Sequence, residues 1–495
     1  MTGIGLLAVL LASPVVAAIL VMLCARPPGL RDVIHIGFSL ASALLGAFLL
    51  SDLQHHAAIR LTLGHPLPNV ELAFSVEPLG ALFSVIVTSL SVLHAIHTVG
   101  FVRATAMQTP ARLMAFISLT AGMTVAVALS ANLFTLFVAY QALILAGAPL
   151  IQDRDPEQEG RAARVYLTTQ LGASIGLFLP AVVWTYSLAG SAEFQSGGVL
   201  SGLVDPMSAN ALLILFVLGA SMSIVPPLSA WIHVSSGSRW PALTSIQSLA
   251  LAPAGVIAIV KIIAYVFGVG AVDRSPILTD ASVAQHALLL LCGGGAALAA
   301  LIAISRQDLN ERLAFLCAAQ YLSALVGALL SLPAGLFAAT LQVAATCCAG
   351  STVIMASATV AAVTGRTAAS NYVGLGRVMP WTLGGFAVGC ASMIGMPPFA
   401  GAWGKLWLIT ASAGAGLIWA AGLVGAAAVL TFAALGPLAA NALAGKAPAD
   451  AFRRPDGASI FLAAPIVIGA AATLSLLALA DSLANFLSPV WTPHT

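Results

Sequence analysis

Charge is nearly absent from this chain: 19 Lys and Arg and 17 Asp and Glu make up 7% of its 495 residues. A soluble globular domain carries roughly 25%, so a water-solvated surface of ordinary composition is excluded. The six cysteines (Cys24, Cys292, Cys317, Cys347, Cys348, Cys390) lie in or beside apolar runs without C-x-x-C spacing. They read as buried small apolar residues, and no disulfide framework, iron–sulfur cluster or zinc site is expected. A nucleotide loop and a dinucleotide fingerprint are lacking too. Gly293-Gly294-Gly295 sits inside an apolar run and reads as close helix packing. A net charge of +2 gives no basic excess, and nucleic acid is not an expected partner.

Apolar residues, in contrast, make up 60% of the chain, with a mean hydropathy of +1.02. A membrane-crossing helix needs about 20 apolar residues. Fourteen segments qualify, near 3–24, 32–51, 77–97, 112–130, 132–151, 165–188, 209–234, 241–268, 284–304, 312–331, 334–363, 379–413, 416–440 and 459–487. This is the pattern of an all-α membrane protein with about 14 transmembrane helices, in contact with the lipid bilayer. The first segment has no preceding basic residue and no clear cleavage site, and reads as a retained helix. Fifteen Lys and Arg fall in loops after odd-numbered segments and two, Arg60 and Arg274, after even-numbered ones; Lys261 and Lys405 lie within segments. The bias puts the odd loops in the cytoplasm and both termini outside, in the periplasm of a bacterial inner membrane.

Two Pro-Pro pairs interrupt this apolar sequence. One is Pro226-Pro227, followed by Trp231; the other is Pro397-Pro398, followed by Trp403 and Lys405. Proline removes an intrahelical hydrogen bond. In lipid, the freed carbonyl is tolerated only where protein or a wet cavity receives it. Matched broken helices in two halves of a chain point to an internal repeat with its pathway near the breaks.

Several stretches carry a family resemblance. Asn132 to Leu143 reads NLFTLFVAYQAL, Val225 to Trp231 reads VPPLSAW, Gln307 to Phe315 reads QDLNERLAF, and Gly395 to Trp407 reads GMPPFAGAWGKLW. Together they resemble the antiporter-like membrane subunits shared by respiratory complex I (M and N type), Mrp cation/proton antiporters (D type) and group 4 membrane-bound hydrogenases. The resemblance covers about 100–455. It implies inverted five-helix repeats, each containing a Pro-broken helix. Residues 1–111 would be N-terminal helices 1–3. Residues 112–268 would form the first repeat, broken at Pro226-Pro227, and 284–440 the second, broken at Pro397-Pro398; 441–495 would hold the last helix. M, N or D type is the better comparison, because the chain ends soon after its last segment, without the lateral helix of L-type subunits.

The resemblance also marks a departure. Family members are thought to move protons along buried ionisable residues. Here the fifth-helix glutamate falls on Gln141, the seventh-helix lysine on Met222, the eighth-helix lysine or histidine on Gln247, and the eleventh-helix lysine on Gln342. Only the twelfth-helix lysine is kept, as Lys405. Glutamine hydrogen-bonds but does not exchange a proton near neutral pH, so the relay is expected to be broken. Three readings stay open. The chain is a non-pumping relative within a larger complex, or it conducts protons or Na+ through water and Lys405, or it is a stand-alone secondary transporter. If anything is still conducted, Lys405→Ala should abolish it. Other membrane subunits of a hetero-oligomeric complex are the expected partners, with a soluble cytoplasmic subunit as a further candidate. No cofactor and no catalytic chemistry of its own is expected; an NADH or quinone dehydrogenase label would come from the family.

Other polar residues carry milder expectations. Lys261 reads as a lysine snorkelling to the outer interface. His94 and His97, three apart on one helical face, read as a buried or interfacial pair. His233 could line an aqueous funnel. Asp308, Glu311 and Arg312 fit a solvated cytoplasmic turn or a docking surface. The charge-dense stretch 152–164 reads as a solvated loop or a subunit contact, and 52–76, with His55, His56 and His65, as an outer loop.

Overall fold

The computed structural model describes residues 3–53, 59–68, 70–151, 160–221, 223–226, 229–235, 238, 240–269, 283–444 and 459–491. Met222 and Pro227, with His55, His56 and 152–159 of the two expected loops, lie outside them.

Twelve helices among the described residues are long and apolar enough to cross a membrane. The first six are α1 (Gly3–Leu23), α2 (Pro28–Leu53), α3 (Pro78–Thr105), α4 (Pro110–Ala128), α5 (Leu133–Leu150) and α6 (Arg161–Ala189). The segments expected at 209–234 and 379–413 are each divided: α7 (Pro206–Ser221) from α8 (Ala230–Ser235), and α13 (Pro380–Ile394) from α14 (Ala400–Gly414). Between these two divided segments run α9 (Trp240–Phe267), α10 (Val283–Ser305), α11 (Leu309–Leu329) and α12 (Pro333–Thr364). Two more spans, α15 (Ile418–Leu443) and α16 (Ile460–Ala478), follow, with α17 (Ala480–Trp491) after them.

Burial sorts the helices. The most apolar stretches of α9 and α12 are wholly enclosed by protein, whereas only 28% of that of α2 is buried. The central helices need an apolar surface all round, and the outer ones turn theirs to lipid. Three stretches are π-helical rather than α-helical: Ser174–Phe178 in α6, and Ser245–Leu249 and Ile263–Phe267 in α9. Such turns recur at functional sites, and the first two carry the buried polar side chains of Ser174, Ser245, Gln247 and Ser248.

The outer loop expected at 52–76 is instead an antiparallel hairpin, β1 (Ile59–Leu67) with β2 (Val70–Val76), Ile59 opposite Val76. Its second strand alternates Val70, Leu72, Phe74 and Val76 with Glu71, Ala73 and Ser75, the period of a half-buried strand. Ser75 N donates to Leu129 O (2.8 Å) and Ala73 N to Thr135 Oγ1 (3.0 Å), which docks the hairpin against the α4–α5 turn. Arg60 bridges Glu71 and Glu193, each at 2.8 Å. The hydrogen bond from Arg60 holds the Glu71 carboxyl below the usual carboxylate range. At the far end of the bundle, Asp32 is clamped between Arg31 and Arg103, both at 2.8 Å.

Candidate functional site

The second helix break builds a polar site in the interior. Gly395 ends α13 with φ +94°, a left-handed conformation that suits glycine. A Cβ there would also lie 2.7 Å from Lys405 Cδ, so its absence leaves room for the lysine stem. A Cβ at Gly401, in the first turn of α14, would overlap the Ser392 carbonyl oxygen. Glycine therefore lets the two half-helices overlap side by side. Gly401 N donates to Ser392 Oγ (3.3 Å), satisfying one donor at the α14 N-terminus.

Lys405, 5% exposed, reaches back into this break. Its Nζ donates to Met393 O (2.8 Å), a carbonyl at the end of α13, and to Gln320 Oε1 of α11 (2.6 Å). Gln342 of α12 donates through Nε2 to the same Gln320 oxygen (3.1 Å) and to Thr346 Oγ1 (3.4 Å). Gln320 Nε2 donates to Thr431 Oγ1 of α15 (3.3 Å). Among the described residues no carboxylate pairs with Lys405. Its amine meets an amide oxygen and a carbonyl, which orient dipoles toward it but supply no counter-charge.

The first break is closed differently. Ser223 O, freed where the backbone turns, accepts from Trp231 Nε1 (2.7 Å), and Ala220 O accepts from Tyr140 OH (2.7 Å). Trp231 is 2% exposed and stacks edge-on against Tyr166 at 5.5 Å. Here the donors to the carbonyls near the break are the aromatic side chains of Trp231 and Tyr140.

The expected positions separate into two groups. Lys405 and Gln342 are joined through Gln320. Gln141, on α5, donates instead to Ser174 Oγ at the π turn of α6. Gln247 is buried in the π turn of α9. His233 lies at the edge, its Nδ1 2.8 Å from Glu311 Oε1 and its ring largely exposed. Pro226 is buried at the first break, and Pro397 and Pro398 are exposed at the second.

Two expectations are corrected. Lys261 does not snorkel: it is 0% exposed, with Nζ 3.0 Å from Glu77 Oε1. It donates to Ala128 O (2.7 Å) and Ser130 O (2.8 Å), and Tyr265 OH donates to the other Glu77 oxygen. A carboxylate within reach keeps the ammonium inside. Glu311 is not solvated either; it is buried between His233 and Arg306, which stands 3.3 Å away, while Asp308 caps α11 by accepting from Asn310 N (2.9 Å).

Residues 130–431 match the family model described as NADH:quinone oxidoreductase/Mrp antiporter, TM. The chain belongs to the NADH:quinone oxidoreductase/Mrp antiporter family. It is an antiporter-like integral membrane protein. Among curated relatives, it is 25% identical over 391 residues to NAD(P)H-quinone oxidoreductase chain 5 of Synechocystis, a match covering 74% of this chain and 54% of that one. It is 23% identical over 287 residues to the D-type Na(+)/H(+) antiporter subunit of Alkalihalophilus pseudofirmus, covering 57% and 56%. The chain thus spans little more than half the length of the curated relatives it matches. In fold it resembles a chain in the structure of the Mrp complex from Dietzia, at TM-score 0.83 and 19% identity, covering 100% of this chain and 98% of that one.

The motif at 395–407 contains Lys405, whereas its hydrogen-bond partners lie on other helices. Gln320 is a lone amide in the apolar run Cys317–Leu325, and Glu77 a lone acid just before Pro78 at the start of one. Isolated polar residues in membrane segments are expensive and mark interior sites; that signal was available for both.

Proposed function

We propose that this chain is an antiporter-like subunit of a multi-subunit membrane complex, with a central charge relay that no longer pumps. One observation carries the reading: Gln320, Gln342 and Thr346 form a neutral hydrogen-bonded cluster beside Lys405, with amides where a relay would need titratable neighbours. A relay needs neighbours that bind and release protons in turn, and amides do not. The family membership and the fold likeness to a chain of an Mrp complex support the complex-subunit part. Partners would then be other membrane subunits, in a bacterial inner membrane with both termini in the periplasm. The two breaks and the helices flanking them fit the division into repeats at 112–268 and 284–440.

The test starts with tagged chain purified in mild detergent from its native membrane, with mass spectrometry of what remains bound. Stoichiometric antiporter-like, redox or carbon-uptake subunits are expected; a clean monomer or homodimer would overturn the subunit reading. The complex is then reconstituted in vesicles, and proton and Na+ flux compared between native chain and Lys405→Met. Unchanged flux is expected. Loss of flux would establish the second reading, conduction through water and Lys405, which is favoured by the lack of a carboxylate partner for that lysine among the described residues.

A further inference from the structure

Two apolar grooves meet the hairpin, one on either side of the first turns of α5. The first runs between α1, α4 and α5 and is lined by Leu11, Met123 and Val138, with Leu61 and Leu72 of the hairpin closing one end. The second runs between α5 and α6 and is lined by Phe134, Leu179 and Val183, with Pro68 and Val70 of the hairpin at its end. Each encloses about 470 Å³, within the range of about 300–1,000 Å³ of sites that hold small organic molecules. Both open sideways: Val138 is 37% exposed and Val183 58%.

The hairpin fixes where these grooves lie in the membrane. Its side chains alternate between two faces. Leu61, Leu72 and Phe74 line the first groove, whereas their neighbours Arg60 and Glu71 pair with each other. The charged face belongs in water and the apolar face in hydrocarbon, so the hairpin marks one surface of the bilayer. From Leu133, at the start of α5, to Ala142, the last α5 residue of the first groove, the helix rises about 14 Å. From Leu179, which lines the second groove, to the end of α6 at Ala189 it rises about 15 Å. Half the hydrocarbon core is about 15 Å. Each groove is therefore one leaflet deep.

We propose that each groove binds one acyl tail of a phospholipid from the leaflet on the hairpin's side. The depth selects such a tail, which ends near the bilayer midplane while its head stays at the level of the hairpin. A helix crossing the whole bilayer along either groove would meet the hairpin. Water gains little there, because the polar groups of the walls are already engaged. Thr135, in the first groove, accepts from Ala73 N (3.0 Å), and Tyr186, in the second, donates to Pro68 O (3.4 Å). Within a bilayer no hydrophobic gain drives the contact, so shape and dispersion hold the tail. The proposal stands whether or not the protein conducts ions.

The test uses the full protein with benzoylphenylalanine, a photoreactive residue that inserts into C–H bonds, in place of Val138, Val183 or Leu145. Leu145 is 55% exposed on the same helix as Val138 but lines neither groove. Each form is purified in mild detergent, washed free of bulk lipid, irradiated and weighed intact by mass spectrometry. Adducts of phospholipid mass are expected at 138 and 183, and only detergent adducts at 145. Ala142→Trp, which fills the first groove, should remove the lipid adduct at 138 and leave the one at 183. Should that variant fail to fold, the comparison of 138 and 183 with 145 decides. Detergent adducts alone at 138 and 183, in protein still folded by circular dichroism, overturn the proposal. Equal lipid adducts at all three positions overturn it as well, since the grooves would then hold lipid no better than the open surface. A protein adduct at 138 and 183 after irradiation in the native membrane also overturns it, and makes the grooves a subunit contact.

Discussion

Among the described residues two lysines are enclosed, Lys261 and Lys405, and they are enclosed in opposite ways. Lys261 faces a carboxylate, Glu77, with Tyr265 on the other carboxylate oxygen and two backbone carbonyls completing its shell. Lys405 faces an amide oxygen and one carbonyl at a helix break. Removing one partner of a buried ion pair strands the other charge; removing a cation held only by dipoles strands none. The first arrangement ties α9 to the start of α3 and the α4 end. The second holds its amine with dipoles, without a carboxylate partner among the described residues. Burial alone says little about what a membrane-embedded lysine does; the identity of its partners decides.

The contrast can be broken most forcefully at Lys261. Lys261→Met leaves the Glu77 carboxylate without its cation and should cost about 3–5 kcal/mol, read from thermal or denaturant unfolding in detergent. Adding Glu77→Gln should recover most of the loss, and a single variant as stable as the native chain would contradict the lock. Lys405→Met should cost less, about 1–3 kcal/mol, because only Gln320 Oε1 and Met393 O lose a donor; a larger loss than at Lys261 would reverse the comparison. Gln320→Glu tests whether a carboxylate is the difference. In double-mutant cycles the coupling between positions 320 and 405 should rise by about 1 kcal/mol over that of the native pair, and an unchanged coupling would show that the partner's charge is immaterial there.

The smallest effect belongs to the exposed pair, Arg60 with Glu71. The folded-state Glu71 carboxyl is held below its ordinary value of 4.5 by the Arg60 hydrogen bond. Its contribution is therefore complete above that value and fades as pH falls through the folded one. Amide-exchange protection in 59–68 and 70–76 should drop as pH falls below 4.5, and Glu71→Gln should remove that dependence. Equal pH dependence in both proteins would exclude Glu71 as its source.

The sequence revealed what depends on local pattern. Apolar runs marked the helices, Pro-Pro marked both breaks, and Gly395 to Trp407 marked the lysine inside the second. It hid what depends on distant pairing. Lys261 looked like a snorkelling residue because its carboxylate lies near the start of another helix, far earlier in the chain. Glu311 looked solvated because it stands in a charged turn, although folding encloses it beside His233 and Arg306. The hairpin was legible in the alternation of Val70 to Val76, but that signal is short and sits between two strong helices. Gln141 and Gln342 were singled out by the family resemblance. That one amide would reach Ser174 and the other Gln320 was not, because neither pairing follows from spacing along a helix.

The π turns change how this chain must be measured against its relatives. Each holds one residue beyond the α-helical repeat, and one residue is about 100° around a helix axis. A relative that lacks the extra residue between Ser245 and Leu249 keeps its helix but turns everything on one side of that point by more than a quarter circle. Counting along α9 at constant spacing then assigns a side chain to the wrong face of the helix and to the wrong neighbouring helix. Across Ser174–Phe178, Ser245–Leu249 and Ile263–Phe267, equivalence has to be drawn in space, with a one-residue gap allowed at each.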